Sequence, residues 1–156
     1  MTLFLDACAL IYLIEAKEPF HGLVIAALRR MRQSHADTRL AVSRLSVLEC
    51  LVKPVRDGDQ GLIDDYRAFF SARDLTMVEI TPTVMKTALG LRARTGLRTP
   101  DAIQAACALS VADGGCLFLT NDRRIDRVTE LRVAVLGDTE GFSGKDGTDV
   151  SLCPEP

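Results

Sequence analysis

Two acidic residues follow apolar runs of the sequence closely, where a carboxylate can take part in chemistry. Asp6 follows the run Thr2 to Leu5, and Asp122 follows the run Cys116 to Leu119 at a distance of three residues. Short apolar runs of this kind predict buried strands. In open parallel sheets, binding groups collect outside the carboxyl ends of the strands. We therefore expect both carboxylates at the edge of the sheet that carries a site.

Two further acids fall on predicted helices. Thr99 is suited to the N-cap and Pro100 to the first helical position, which places Asp101 in the first turn. Glu49 lies beside an apolar stripe on another predicted helix and should face inward or nearly so; the stripe consists of Leu45, Leu48 and Val52.

Helix capping is the simpler explanation for Asp6, Asp101 or Asp122 taken singly, because an aspartate satisfies free N–H groups there. Capping does not explain why all three positions carry a charge, and it does not cover Glu49. A carboxylate beside an apolar stripe is costly unless a positive group compensates it. Carboxylate oxygens suit Mg²⁺ or Mn²⁺. The sequence favours a metal centre with Asp6, Asp101 and Asp122 as main ligands and Glu49 as a direct or water-mediated one.

The elements that must position these acids alternate along the chain, which predicts parallel β-α-β units. The expected strands are Thr2 to Leu5, Leu40 to Val42, Met77 to Ile80, Cys116 to Leu119 and Leu131 to Val135. The expected helices are Ala7 to Ala16, Phe20 to Ser34, Ser43 to Val52, Gln60 to Ala72, Thr83 to Thr95 and Pro100 to Ala112. We predict a three-layer α/β/α fold over residues 1–136, with a short, mostly parallel sheet of about five strands. Residues 137–156 form a Gly-rich acidic C-terminal tail.

The charge of the 156-residue chain is distributed unevenly. Nineteen Lys and Arg face 21 Asp and Glu, a net charge of −2 that gives no direct case for a nucleic-acid partner. Residues 137–156 carry −4 of this, so residues 1–136 stand at +2, or +6 without the four candidate ligands. Arginine outnumbers lysine 15 to 4, which suits bidentate phosphate contacts. The predicted folded body is thus compatible with RNA.

Other features bear on the compartment. The longest apolar run, Ala7 to Ile14, has eight residues, far fewer than the roughly 20 that a membrane-spanning helix needs. The first ten residues carry no Lys or Arg, so a signal peptide is not indicated. The five cysteines show no metal or redox spacing and are expected to be reduced. We expect a cytoplasmic protein without a membrane partner.

Four segments together resemble the motifs of PIN-domain nucleases, in particular the VapC-like toxins of type II toxin–antitoxin systems. These segments are Leu3 to Cys8, Ser43 to Glu49, Thr99 to Ala106 and Leu119 to Asp122. The resemblance implies an Mg²⁺- or Mn²⁺-dependent endoribonuclease in which Asp6, Glu49, Asp101 and Asp122 surround the metal. Thr120 and Asn121 would support them. It also implies a cognate antitoxin and a homodimer. Ile125 departs from the pattern, since many relatives carry an aromatic residue there.

Several nearby residues are secondary candidates. Asp126 could be a peripheral acid if the chain from Arg123 onward is helical, although a solvated position is favoured. The arginines close in sequence to a motif acid are candidates for holding RNA, with surface solubility as the alternative: Arg44, Arg98, Arg123 and Arg124. Both histidines, His21 and His35, lie away from the acidic motifs, which argues against a nuclease with a histidine base.

Other functional classes fit less well. A phosphoacceptor receiver module needs a lysine after its last strand, and the only late lysine is Lys145 in the tail. A catalytically silent PIN scaffold has usually lost one of the acids, whereas all four are present here. A housekeeping ribonuclease outside a toxin–antitoxin pair stays open as the alternative.

Overall fold

The computed structural model describes residues 1–137 of the chain. The strands are β1 (Thr2–Leu5), β2 (Arg39–Ser43), β3 (Leu75–Val78), β4 (Cys116–Thr120) and β5 (Arg132–Val135). The helices are α1 (Ala7–Ile14), α2 (Phe20–Ser34), α3 (Arg44–Asp57), α4 (Gln60–Phe70), α5 (Pro82–Thr95) and α6 (Thr99–Ser110), and a 3₁₀-helix spans Arg123–Arg127. Apart from Gly137, the predicted tail lies outside the described residues.

The five strands form one sheet in the order β3-β2-β1-β4-β5. Every neighbouring pair is parallel, and β1 lies in the middle, paired with β2 on one side and β4 on the other. From β1 the chain builds first toward β3 and later toward β5. The boundary between β1 and β4 is therefore the switch point of the sheet, where crevices open in folds of this type.

Alternation along the central strands divides the core into two layers. Leu3 and Leu5 contribute to the cluster that also contains residues of α1 to α4, whereas Phe4 belongs to the cluster with residues of α5 and α6. The same holds in β4, where Phe118 stacks on Phe4 with ring centroids 5.3 Å apart. Because successive side chains of a strand point to opposite faces, the sheet buries both of its faces under helices. The predicted three-layer α/β/α fold is confirmed.

Helix α6 is the most buried helix, with every residue from Ala102 to Ala108 in the core. Its small alanine and cysteine side chains allow close packing on the sheet and on α5. Cys50, Cys107 and Cys116 are buried free thiols and Cys8 is half-buried. None of the helices in residues 1–137 is long and apolar enough to cross a membrane.

Helix α3 differs most from the prediction. The predicted helix ends at Val52, but α3 continues to Asp57 and is capped by Gly58 with φ of 71°. It passes through Pro54, a residue type that normally interrupts helices. The expected inward stripe is also wrong: Leu45 is half-buried, but Leu48 and Val52 are 65% and 58% exposed. The buried face of α3 consists instead of Ser46, Cys50 and Pro54.

Candidate functional site

Asp6 lies at the switch point between β1 and β4. It is the N-cap of α1, and its Oδ1 accepts a hydrogen bond from the Ala7 N–H at 2.8 Å. Its Oδ2 accepts one from the Thr120 hydroxyl at 2.7 Å and one from the Cys8 thiol at 3.3 Å. Thr120 ends β4, so these contacts tie the carboxyl ends of the two central strands together. Asp6 therefore both caps α1 and belongs to the candidate acidic site.

Glu49 is half-buried on α3 and is held by Gln104 of α6. The Gln104 Nε2 donates to Glu49 Oε2 at 2.7 Å and to the Ser46 hydroxyl at 3.1 Å. The Gln104 Oε1 accepts from the Ser43 hydroxyl at 2.7 Å. Ser43, Ser46 and Gln104 are buried. A neutral amide therefore meets the Glu49 carboxylate, whereas Lys53, four residues further along α3, pairs with Asp57.

Sequence reasoning did not identify Gln104 as a functional residue. The signal was nevertheless present, since a glutamine interrupts a helix that is otherwise apolar almost all round. A buried amide needs partners for both its N–H and its carbonyl groups. A search for polar partners on the facing helix would have pointed to the serines of α3.

Asp101 lies in the first turn of α6, one residue later in the helix than predicted. Thr99 is the first helical residue and Arg98 the N-cap, which has no side-chain capping bond; the prediction of Thr99 as N-cap is therefore wrong. The shift leaves Asp101 near the amino end of the helix, where its charge complements the helix dipole.

Asp122 caps the 3₁₀-helix and binds Arg124. Its Oδ1 accepts from the Arg124 backbone N–H at 2.9 Å, and the Arg124 Nε lies 2.9 Å from both carboxylate oxygens. The Arg124 Nη2 also donates to Asp122 Oδ2 and lies 3.6 Å from Asp101 Oδ2. One guanidinium thus contacts two of the four acids.

The acids influence one another electrostatically. Burial raises the pKa of Asp6, Glu49 and Asp101 above their ordinary values. The negative charge of Asp101 raises the pKa of Asp6 and Glu49 further, whereas hydrogen bonds from Thr120 and Gln104 oppose the rise. The pKa of Asp122 is lowered, chiefly by its hydrogen bonds from Arg124. Ionisation of three of the four carboxyls is therefore opposed unless positive charge enters the site.

The donor set fits a divalent cation. Asp101 Oδ2 is buried and has no hydrogen-bond partner, and buried polar atoms normally have one. The surrounding acidic oxygens are the ligands that Mg²⁺ and Mn²⁺ prefer. Within residues 1–137, however, no three His, Cys, Asp or Glu side chains are already arranged as a metal-binding group. Binding would require the carboxylates to draw closer.

The supporting and peripheral candidates are distributed around this centre. Asn121 is exposed and its amide donates to the Tyr12 hydroxyl. Asp126 lies in the 3₁₀-helix and is exposed. Partial desolvation of its carboxyl raises its pKa, and the positive charge of Arg123 opposes the rise. The structure does not bring Asp126 into contact with the four acids by any described hydrogen bond or ion pair.

The four candidate arginines differ in their surroundings. Arg44 is exposed and its guanidinium is paired with Glu79, so the structure gives it a protein partner. The positive charge of Arg98 lowers the pKa of Asp101 and Asp122. Arg123 is exposed, and its charge acts on Asp126. The Arg124 guanidinium contacts both Asp101 and Asp122.

Fold and site together define an α/β protein with an acidic centre at the switch point of a parallel sheet. The sequence matches the PIN domain family over residues 3–131. The chain belongs to this family, and all four acids fall within the matched region. No curated protein sequence matches the chain significantly.

Solved structures with a similar fold include VapBC2 from Rickettsia felis, at 15% identity and a TM-score of 0.66, covering 87% of this chain and 99% of that one. VapBC-1 from nontypeable Haemophilus influenzae matches at 19% identity and a TM-score of 0.63, covering 86% and 98% of the two chains. VapC20 from Mycobacterium tuberculosis, a sarcin-ricin loop cleaving toxin, matches at 15% identity and a TM-score of 0.58, covering 74% and 86%. These likenesses support the fold.

Replacing Gln104 by leucine should lower the free energy of unfolding by about 1–3 kcal/mol, because the substitution leaves buried polar groups on α3 unpaired. Urea unfolding at pH 7 in the presence of chelator measures this. Gln33→Leu, an exposed glutamine-to-leucine change on α2, is the matched control and should stay within about 0.5 kcal/mol. Equal losses in both variants would contradict the role of Gln104.

Replacing Asp6 by asparagine should stabilise the metal-free protein at pH 7. The folded-state pKa of Asp6 is raised above 3.8, so the folded protein binds this proton more tightly than the unfolded chain does. The contribution of Asp6 to stability therefore falls as pH rises from the unfolded pKa through the folded one. Asparagine stays neutral and still caps the helix.

The measurement is the difference in unfolding free energy between Asp6→Asn and wild type, followed from pH 3.5 to 7 in chelator. We expect the difference to grow with pH in favour of the variant. Asp74→Asn, in the exposed turn before β3, controls for the substitution itself. A difference for Asp6→Asn that shrinks as pH rises would show that the charge of Asp6 is not destabilising.

Proposed function

We propose that the protein is a divalent-metal-dependent endoribonuclease that hydrolyses RNA phosphodiester bonds. The observation that carries the proposal is the buried Asp101 Oδ2, which accepts no hydrogen bond, within a group of acids three of which have pKa values raised by burial. Because burial opposes ionisation of these carboxyls, an added cation would stabilise their charged form. Membership of the PIN domain family supports the same activity.

Asp6, Asp101 and Asp122 would hold Mg²⁺ or Mn²⁺, with Glu49 completing the set directly or through water. The bound ion would supply positive charge against the phosphate and activation of the attacking water. The protein's own groups would fix the geometry: Thr120 and Cys8 orient Asp6, and Gln104 orients Glu49. No nucleophilic side chain is needed for this chemistry.

An RNA substrate needs positive charge beside the acids. Arg98, Arg123 and Arg124 are near the site and are the favoured phosphate contacts. Arg44 would have to exchange its ion pair with Glu79 for one with phosphate, and such exposed pairs are weak, usually below about 1 kcal/mol. Arg44 therefore remains a candidate.

Cleavage of RNA by the purified chain should require Mg²⁺ or Mn²⁺ and stop in chelator. Asp6→Asn and Asp101→Asn should each lower the rate at least about 100-fold, since each removes a charge that holds the cation. Asp74→Asn, far from the site in sequence and exposed, should cleave at the wild-type rate. Undiminished cleavage in chelator, or by both site variants, would refute the metal mechanism.

We further propose that the nuclease is the toxin of a toxin–antitoxin pair, acting in the cytoplasm. Two of the similar structures are VapBC proteins, and a third is a toxin that cleaves the sarcin-ricin loop. By this analogy a cognate antitoxin would be the partner. A housekeeping ribonuclease is the alternative, and growth arrest on expression, relieved by a small neighbouring gene, separates the two.

A homodimer is proposed on the basis of two apolar patches, one on α3 and one on α5. The patches consist of the large hydrophobic side chains that are exposed in residues 1–137: Leu48, Val52, Val55, Met85 and Leu89. Their spacing puts the first three on one face of α3 and the last two on one face of α5. Both helices begin after neighbouring strands, β2 and β3. Concentrated exposed apolar area is typical of protein interfaces.

Sedimentation equilibrium should give twice the chain mass of 17.0 kDa for the wild type. Leu48→Glu combined with Leu89→Glu should give the monomer mass, because charges would be buried in the contact. Thr83→Glu combined with Lys53→Glu introduces two glutamates at exposed positions of the same helices outside the patches and should leave the dimer intact. A wild-type monomer at micromolar concentration would refute the homodimer.

A further inference from the structure

Arg124 places a positive charge inside the acidic centre. Its Nε lies 2.9 Å from both oxygens of Asp122, and its Nη2 lies 3.6 Å from Asp101 Oδ2. Arg124 and Asp122 are only two residues apart, and the backbone N–H of Arg124 also donates a hydrogen bond to Asp122 Oδ1. The guanidinium thus bridges two carboxylates that the proposed function assigns to a divalent cation.

The contact with Asp101 is electrostatic and leaves the oxygen unsatisfied. A separation of 3.6 Å is too long for a hydrogen bond, and Asp101 Oδ2 has no other partner. Arg124 nevertheless lowers the pKa of Asp101, as its charge should. The guanidinium therefore neutralises part of the charge of the pair without completing the coordination of Asp101.

The exposure of the Arg124 guanidinium allows it to be displaced from the two carboxylates. Its side chain is 41% exposed, compared with 24% for each of the two carboxylates. A half-exposed arginine exchanges a carboxylate for water at modest cost, because exposed ion pairs contribute little. Its backbone bond to Asp122 Oδ1 does not depend on the position of the guanidinium and can hold the cap in place.

We propose that Arg124 is an internal counter-ion that competes with the divalent cation for Asp122 and Asp101, and that cation binding displaces its guanidinium. This inference rests on the proposed metal-dependent function and adds a regulating residue to it. Released from Asp122, the guanidinium stays tethered beside the acids, where a phosphate of the substrate would meet it. The same side chain then stabilises the site in the absence of metal and serves the substrate in its presence.

The affinity for Mn²⁺ alone, measured by calorimetry or by the paramagnetic resonance of free Mn²⁺, tests the competition. Arg124→Gln should bind Mn²⁺ about three- to tenfold more tightly than wild type, the range expected for loss of a half-exposed charge-assisted bond. Arg124→Lys, which keeps the charge without the two-pronged contact, should fall between them. Circular dichroism verifies that each variant is folded.

Arg98→Gln is the matched control, since Arg98 acts on the same two acids through its charge. Its effect on Mn²⁺ affinity should be smaller than that of Arg124→Gln. Equal effects of the two substitutions would refute direct competition, because any nearby positive charge would then weaken Mn²⁺ binding to the same extent. Unchanged affinity in folded Arg124→Gln would also refute it, while the metal site stands. If neither wild type nor variant binds Mn²⁺, the metal-dependent function itself fails.

Displacement has its own signature in nitrogen-15 NMR of the full chain. The Arg124 Nε–H signal, assigned by its absence in Arg124→Lys, should shift and exchange faster with water on titration with Mg²⁺. A signal that stays unchanged at saturating Mg²⁺ would overturn the displacement.

Discussion

Negative charge gathered at one end of a parallel sheet is the constraint that shapes this molecule. Three of the acids each have a partner that offsets their charge: Thr120 for Asp6, Gln104 for Glu49 and Arg124 for Asp122. Asp101 has an ion contact with Arg124 at 3.6 Å and is also stabilised by Arg98. Each partner comes from a different element, so β4, α6 and the 3₁₀-helix must all be in place to hold the site together. Bringing these acids together costs free energy, which the stability of the surrounding fold must offset.

The overall fold could be predicted from the sequence because its signals are local. Short apolar runs ended by polar residues mark the strands, and the two faces of β1 and β4 follow from alternation alone. Errors arose where local signals conflict with packing. Pro54 indicates a helix end, yet its ring is buried and α3 continues to Gly58. Whether a proline ends a helix depends on the surface that it packs against, which no local pattern contains.

The acids of the candidate site could be predicted from the sequence, but the residues that bind them could not. Strand ends and a helix start locate three carboxylates from topology alone. The inward face of α3 was assigned from hydrophobicity, but its buried side contains Ser46, which meets Gln104 of α6. That contact spans 58 residues of sequence. The direction of the Arg124 side chain is likewise a choice among many rotamers, decided by two carboxylates that come together only in the folded chain.

The central position of β1 has a consequence for the order of synthesis. Thr120, which orients Asp6, is 114 residues further along the chain than Asp6. At about 5–20 residues per second, roughly 6–23 seconds separate the two during translation. During this time β1 lacks β4, one of the two strands with which it forms hydrogen bonds in the sheet. The acidic centre cannot assemble on a nascent chain until Thr120 and Asp122 have been synthesised.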